Sequence, residues 1–550
     1  MKELFFIQKN TGKREDSSGR ILNMKEESGA KKMRAIVEET LEIVCEYKGS
    51  HSGEHGDGLA RSEFHEPMFG RRMVESFEEV KDNFDPGGTF NPGKIVRPSR
   101  MDDRDLFKFA PDYAIEPLAT TLDWSDWGGF SGAVEMCNNN GACRKADVAV
   151  MCPSYRATGD EQHLTRGRAN TLRLAISGQL GPQGILSEDM YETMSLCVSC
   201  KGCKRECPTG VDMAKMKIEF LHQYYKQHRL PIKERLVAFL PHYARLAGKF
   251  SRLLNLRDQI PGLAKISEWL LGFSSKRPLP RWRGDQFRAE QEITQLTETK
   301  KVAGEVVLLV DTFNTCFEPE NARAALAVLK AAGYQVYCPR PADQGRPLCC
   351  GRTFLNGGMV EQARVEAHRV IDSLSKYVEK DIPIVGLEPS CLLTLRDEFP
   401  SLIPGPETSA LAEKALLFEE FLAAEMSQGK LKLPLKSLST NKALLHGHCH
   451  QKAFAAMSSV RQVLSLIPEL EVNTIRSSCC GMAGAFGYDA RYYDVSMKMG
   501  EQSLLPAVRE ADPSTLIIAD GTSCRHQIQD GAGREALHVA RVLEMALVND

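Results

Sequence analysis

The chain has 550 residues, 42% hydrophobic and 26% charged, with a formal net charge of -2. That length exceeds one compact core and implies about three or four domains, while the near-neutral balance, without a Lys/Arg-rich tract, leaves no basic field for nucleic acid. Met1 to Ser18 is charged and lacks the apolar stretch of a secretory signal or a membrane-spanning helix, so the chain is expected in the cytoplasm, where thiols stay reduced and cysteines serve metal or redox chemistry.

Residues 1–18 are an unassigned start. A first domain is predicted over 19–105, mixed α/β, with helical periodicity from Lys31 to Lys48 and from Arg72 to Phe84 around a Gly-rich loop. It closes on Asp85-Pro86-Gly87-Gly88 and Asn91-Pro92-Gly93-Lys94. A cysteine-rich, mainly helical domain follows over 123–227, with helices expected near Arg166 to Ser177 and Ala214 to Tyr225. Residues 228–300 read as an amphipathic, basic-leaning helical linker broken by Pro231, Pro261 and Pro278. Helices packed on their neighbours are expected there ahead of a membrane-surface helix.

The remainder repeats itself. Cys316, Cys349-Cys350-Gly351 and Cys391 recur as Cys449, Cys479-Cys480-Gly481 and Cys524, at offsets of 133, 130 and 133 residues. Apolar strands (Val306 to Val310, Ile382 to Leu387, Ala443 to Leu445, Leu516 to Ala519) alternate with helical stretches, so two α/β lobes, 301–425 and 436–550, are expected to pair about a pseudo-twofold axis.

Fifteen of the 17 cysteines fall into four patterned groups, leaving Cys45 and Cys338 as packing residues. Cys197, Cys200, Cys203 and Cys207, the last followed by Pro208, spell C-x2-C-x2-C-x3-C-P, a spacing that wraps thiolates around a 4Fe-4S cluster. Zinc prefers two separated ligand pairs. A second group is Cys137, Cys143 and Cys152, again before a proline. In two-cluster ferredoxins the cysteine before proline ligates the other cluster, so Cys152 is expected with Cys197, Cys200 and Cys203, and Cys207 with Cys137 and Cys143. Asn140 stands where a middle cysteine would be. This second site therefore suits a 3Fe-4S cluster, a fourth non-cysteine ligand, or no cluster. Arg166 and Arg168 would either shield cluster charge or make helix-surface salt bridges.

The tract from Cys137 to Lys145, with Met151 to Tyr155 and Thr165 to Ala169, resembles the ferredoxin segment fused to FAD-linked D-2-hydroxyacid dehydrogenases. The Cys-Cys-Gly units resemble the cysteine-rich domains of heterodisulfide reductase and of the iron–sulfur subunits of glycolate oxidase and anaerobic glycerol-3-phosphate dehydrogenase. In some relatives such units hold a cluster through adjacent thiolates. Their usual closing Cys-x2-Cys is reduced here to Cys391 and Cys524. Each unit offers four cysteines, and the vicinal pairs would equally suit a redox disulfide. His446, His448 and His450 flank Cys449 and would add a ligand or simply hydrogen-bond at a strand end.

His51-Ser52-Gly53-Glu54-His55-Gly56-Asp57-Gly58, with Phe84-Asp85-Pro86 and Asn91-Pro92-Gly93-Lys94, looks like the C-terminal end of FAD-linked oxidases of the vanillyl-alcohol oxidase group. The resemblance covers about residues 20 to 550. It implies that Glu54 helps bind a divalent metal gripping the substrate carboxylate, that His55 takes the hydroxyl proton, and that Asn91 and Lys94 lie at the cofactor. Oxidising a 2-hydroxyacid needs such a base while hydride leaves for the flavin. The family's N-terminal flavin domain has no counterpart here, so FAD is expected mostly on a separate flavin-domain polypeptide, unless the reading frame is truncated. In a split enzyme residues 20–100 would need that partner to bury their apolar face.

The expected fold is multidomain α/β and α+β: a flavoprotein C-terminal part, an α-helical ferredoxin domain and two repeated Cys-Cys-Gly lobes. The implied function is the electron-transfer portion of a D-lactate or D-2-hydroxyglutarate dehydrogenase, passing flavin electrons to a quinone or other carrier, in the cytoplasm or on the inner membrane face. The competing readings are a non-catalytic iron–sulfur subunit of a glycolate- or glycerol-3-phosphate-oxidising complex, and a thiol–disulfide reductase.

Overall fold

The computed structural model describes residues 3–4, 21–52, 56–145, 150–295, 303–341 and 346–548. Glu54 and His55 lie outside them. The chain divides into two compact units, Met1–Glu116 and Pro117–Asp550.

The first unit is built on two amphipathic helices. Glu27–Glu46 buries Leu41 against Phe64 and Met101, with Cys45 packed on the same cluster. Arg71–Phe84 ends where Asp85 accepts the Thr89 and Phe90 amides, each at 2.9 Å, and the Lys81 ammonium at 2.6 Å. The Asp-Pro-Gly-Gly tract is thus folded into a turn by one carboxylate. Asn91 follows with φ at +46°, and Asn91 and Lys94 are both exposed.

The second unit opens with short helices around the cysteines. Thr165–Ile176 and Met213–Gln227 carry buried stripes (Leu172, Ile176; Met216, Phe220, Tyr224) that close a helical module. Glu219, buried on the second of these, accepts the Thr121 and Leu122 amides and the Trp124 indole, tying the entering chain to the module. Residues 228–295 form a run of short helices rather than one long one, because proline and glycine interrupt each amphipathic stretch.

Two four-stranded sheets follow, both wholly parallel. The first runs Tyr334–Tyr337, Gly304–Leu309, Ile384–Gly386, Ala415–Leu417. The second runs Glu471–Thr474, Lys442–His446, Leu516–Ala519, Ala536–Leu537. Numbered within each lobe, both orders are 2-1-3-4, so the cysteine repeat is a repeat of topology. The second and fourth strand of each sheet escape a sequence reading because they are short edge segments of two to four residues.

Val306, Leu308, Leu326 and Phe418 of the first lobe share a single hydrophobic core with Leu445, Val460, Val542 and Leu543 of the second. The helix Pro319–Ala331 lies against the C-terminal helix Val539–Ala546, and each fully buried Leu or Val contributes about 1.5–3 kcal/mol. The two lobes therefore fold as one body.

Candidate functional site

In a doubly wound sheet, ligands bind beyond the carboxyl ends of the strands where the strand order reverses. Both lobes put their cysteines there. Cys316 and Cys391 follow the two central strands of the first lobe, and Cys449 and Cys524 those of the second. Helix starts hold them in place: Asp311 caps Thr312–Cys316 by accepting the Phe313 and Asn314 amides, and Glu388 precedes Pro389 at the head of Pro389–Leu402.

The second lobe gathers all four of its thiols. Cys479 is in hydrogen-bond contact with Cys449 and Cys480, and Cys480 with Cys524. Those contacts, with His446 facing Cys480, hold the Cys480 thiol well below its ordinary pKa. Contact with Cys479, against the effect of burial and helped by His448, brings Cys449 down to about 6. His448 caps the helix Cys449–Ala453 by accepting the His450 amide at 3.1 Å, and His450 Nε2 donates to the Ser199 carbonyl at 3.1 Å. Two of the three histidines are therefore engaged in backbone hydrogen bonds.

The first lobe gathers three. Cys349, Cys350 and Cys391 line a small cavity with Asp311 and Glu388. Cys316 packs instead with Ala244 and Phe317. The sequence count of four cysteines per unit thus corresponds to three thiols and two carboxylates around this cavity. Burial next to Glu388 pushes Asp311 up to about 6. Contact with Cys350 lowers Cys391, but burial and the two carboxylates outweigh it and leave that thiol at about 12.

In the helical module, Cys152, Cys197, Cys200 and Cys203 line one small cavity. Three backbone positions in the left-handed region, Cys152 (φ 55°), Ser199 (φ 49°) and Lys201 (φ 58°), bend both segments around it. The Thr165 amide donates to Cys152 Sγ at 3.1 Å. Burial raises Cys152 to about 11 and Cys200 and Cys203 well above the ordinary value. Arg168 is buried beside Cys152 and donates to the carbonyls of Thr193 (3.0 Å) and His163 (2.6 Å) and to Ser154 Oγ (3.0 Å). It is an interior guanidinium among neutral acceptors, which removes the surface salt-bridge reading for this residue. Arg166, by contrast, pairs with Glu161.

Cys143 lies near enough to Cys207 to feel its charge, and Cys137 Sγ reaches Asn139 Oδ1 at 3.8 Å. Asn140 is exposed and its side-chain oxygen accepts the Ala142 amide at 2.8 Å in a local Asx turn.

The donor sets fit iron–sulfur clusters better than single ions. Among the described residues no three of these sulfurs lie within 4.8 Å of one another, the compactness a single ion demands. The module's four sulfurs instead line one cavity, and Cys152, Cys200 and Cys203 receive backbone N–H bonds, the surroundings that tune cluster potentials. The module also meets the second lobe directly: Cys200 lies beside Cys449 in one buried cluster, and Ser478 Oγ donates to the Val150 carbonyl at 2.8 Å. Asp311 and Glu388 lie close in sequence to Cys316 and Cys391, but carboxylates there carry no motif that separates them from ordinary helix caps.

Comparison with known proteins agrees with this architecture. A family described as FAD linked oxidases, C-terminal domain, matches residues 20–95; a 4Fe-4S dicluster domain matches 133–211; a cysteine-rich domain matches twice, over 310–396 and 443–529. The matches support association of the first segment with FAD and iron–sulfur clusters in the others. D-2-hydroxyglutarate dehydrogenase of Escherichia coli (strain K12) is 25% identical over 93% of this chain and 53% of its own length. The enzyme of the same name from Pseudomonas putida (strain KT2440) is 27% identical over 95% and 54%. One of the subunits of anaerobic glycerol-3-phosphate dehydrogenase of Escherichia coli (strain K12) is 25% identical over 54% of this chain and 73% of its length. The chain spans about half the length of the two D-2-hydroxyglutarate dehydrogenases. No helix among the described residues is long and apolar enough to cross a membrane.

Proposed function

We propose that the chain is the iron–sulfur electron-transfer portion of an FAD-dependent D-2-hydroxyacid dehydrogenase, oxidising D-lactate or D-2-hydroxyglutarate to the 2-oxoacid. The observation that carries this reading is the convergence of Cys152, Cys197, Cys200 and Cys203 on one cavity, with Cys200 in the same buried cluster as Cys449 of the next thiol group. An iron–sulfur centre supplies one-electron acceptance from a two-electron donor. Cys152, Cys197, Cys200 and Cys203 would hold a 4Fe-4S cluster, and Cys449, Cys479, Cys480 and Cys524 a second centre. Cys137, Cys143 and Cys207 offer three ligands to a third, and Cys349, Cys350 and Cys391 three more in the first lobe. Arg168 supplies fixed positive charge against the first centre, and the Thr165 amide bonds to its Cys152 sulfur.

Glu54 and His55 would supply the carboxylate-gripping metal ligand and the base for the hydroxyl proton, with Asn91 and Lys94 at the flavin. A flavin domain is the partner this reading requires. Its support is the helix Arg71–Phe84, whose Met73, Val80 and Phe84 recur at helical spacing and are exposed, with Phe90 beyond. Peripheral attachment on the inner membrane face, where a quinone acceptor resides, is supported by exposed Leu246, Phe250, Leu253, Ile266 and Trp269 interleaved with exposed Lys249, Arg252 and Lys265.

The test is anaerobic purification with iron and sulfide assay, flavin extraction and EPR after dithionite reduction. The expected result is iron and acid-labile sulfide with little flavin, and loss of the 4Fe-4S signal in Cys200→Ala. Fewer than about three irons per chain would reject even one complete centre. The alternative, a non-catalytic member of a glycerol-3-phosphate- or glycolate-oxidising complex, is favoured by the likeness to part of anaerobic glycerol-3-phosphate dehydrogenase. It is distinguished by His55→Gln, which should lower hydroxyacid oxidation about 10²–10⁴-fold in the reconstituted complex only if His55 is the base.

A further inference from the structure

In the first unit, three metal-ligating side chains converge away from every cysteine. His51, Asp57 and His65 each bring a ligand atom within 4.8 Å of the other two, the one such group among the described residues. His65 Nε2 lies 3.2 Å from Asp57 Oδ2, and His51 Nε2 lies 3.6 Å from Asp57 Oδ1. Three donors bound to one zinc-class ion at about 2.0–2.1 Å in tetrahedral array stand about 3.3 Å apart, close to the two separations from Asp57.

The hydrogen bonding leaves His65 Nε2 and Asp57 Oδ1 open, and on His51 the other ring nitrogen, Nδ1. His65 Nδ1 faces the Ile95 carbonyl at 3.2 Å, and a carbonyl only accepts, so the ring proton is on Nδ1 and the Nε2 lone pair points at the Asp57 carboxylate. This is the outer hydrogen bond by which metal-ligating histidines are oriented. Among the described residues, His65 Nε2, Asp57 Oδ1 and His51 Nδ1 are buried without a hydrogen-bond partner. His51 Nε2 also lies 3.2 Å from the Arg61 carbonyl. Both imidazoles are almost fully enclosed, with side chains 7% and 3% exposed, and His65 packs edge-on to Phe77. Two imidazole nitrogens and a carboxylate, with no thiolate, form a donor set for zinc, cobalt or nickel and a poor one for calcium or magnesium.

We infer that His51, Asp57 and His65 bind one zinc-class divalent ion that ties His51 and Asp57 to the helix His65–Phe69. Three protein ligands leave a coordination position open to water or a carboxylate. Because His51 and Asp57 flank Glu54 and His55 in sequence, the ion would fix the termini of that segment whatever reaction it serves.

Cobalt(II) is the probe, added to the full chain purified anaerobically with its clusters. The expected result is one cobalt per chain showing visible ligand-field absorption without the near-ultraviolet charge-transfer band of thiolate coordination, together with protection of residues 50–60 from proteolysis. His65→Gln and the half-buried Asp57→Asn should each weaken this cobalt at least tenfold while leaving cluster iron unchanged. Asp57→Asn changes one oxygen to nitrogen without altering volume, so it reads the site even where His65→Gln perturbs packing. Absence of the thiolate-free band in the parent chain, or cobalt affinity unchanged in Asp57→Asn, overturns the assignment.

Discussion

Cys200, in the helical module, lies against Cys449, at the carboxyl end of a central strand in the second lobe, and both are sealed in one buried cluster with Cys479, Cys480 and Cys524. Two thiol clusters that are far apart in sequence therefore share a wall, and the first lobe's three-thiol cavity is a separate compartment. An electron arriving at Cys152, Cys197, Cys200 and Cys203 would have the thiols of the second lobe beside it.

Replacing Cys449 by alanine should leave iron bound by Cys152, Cys197, Cys200 and Cys203 while slowing reoxidation of that centre by an added acceptor at least tenfold. Iron assay combined with stopped-flow absorbance separates the two effects. Equal loss of iron from both clusters would show instead that the shared wall is structural.

Arg168→Gln removes an interior positive charge beside Cys152 and strands at least one of the acceptors it serves, the Thr193 and His163 carbonyls and Ser154. Unpaired buried groups cost about 1–3 kcal/mol each. Because reduction adds negative charge, losing the guanidinium should also shift the midpoint potential of this site downward in an EPR-monitored redox titration.

How much of this is legible in the sequence divides by physical type. The cysteine offsets show the duplication because ligand chemistry fixes residue identity, and the helices Arg71–Phe84 and Thr165–Ile176 follow their apolar periodicity closely. Short strands such as Ala536–Leu537 carry too few residues for a period to register. The separation of Cys316 from Cys349 is invisible in the spacing, which does not reveal that Asp311 takes the place beside the cavity. Arg168 reads equally as a shield of cluster charge or a helix-surface arginine until its acceptors show it to be interior.

The lobes are joined by a charge pair whose pH behaviour is calculable in sign. Burial would raise Glu318, but the Arg525 guanidinium, donating to it at 2.5 and 2.8 Å, together with the Thr522 hydroxyl at 2.6 Å, holds it down at about 2. A carboxylate with a depressed folded-state pKa adds stability that is present above its unfolded value of about 4.5 and is lost as pH falls through about 2. Thermal melts between pH 5 and pH 2 should show this loss, and Glu318→Gln should flatten it while costing about 3–5 kcal/mol at neutral pH by leaving Arg525 without its anion.

Glu219→Leu should destabilise the helical module by about 3–5 kcal/mol, since the Thr121 and Leu122 amides and the Trp124 indole would each lose their acceptor. Glu219→Gln, which keeps one carbonyl oxygen, should cost less than half as much. Urea unfolding followed by tryptophan fluorescence reads both, and equal effects would mean that volume rather than hydrogen bonding sets the loss.

Gly358 sits at φ +70°, and a methyl group there would come within 2.6 Å of the Leu221 carbonyl carbon and 2.7 Å of the His222 nitrogen. Backbone of the helical module and backbone of the first lobe thus touch with no side chain between them. A carrier domain that ferries charge by swinging between donor and acceptor needs a lubricated joint, and this one is welded. Electrons crossing the second unit must travel through a fixed conduit, so their rate should depend on driving force and hardly at all on solvent viscosity.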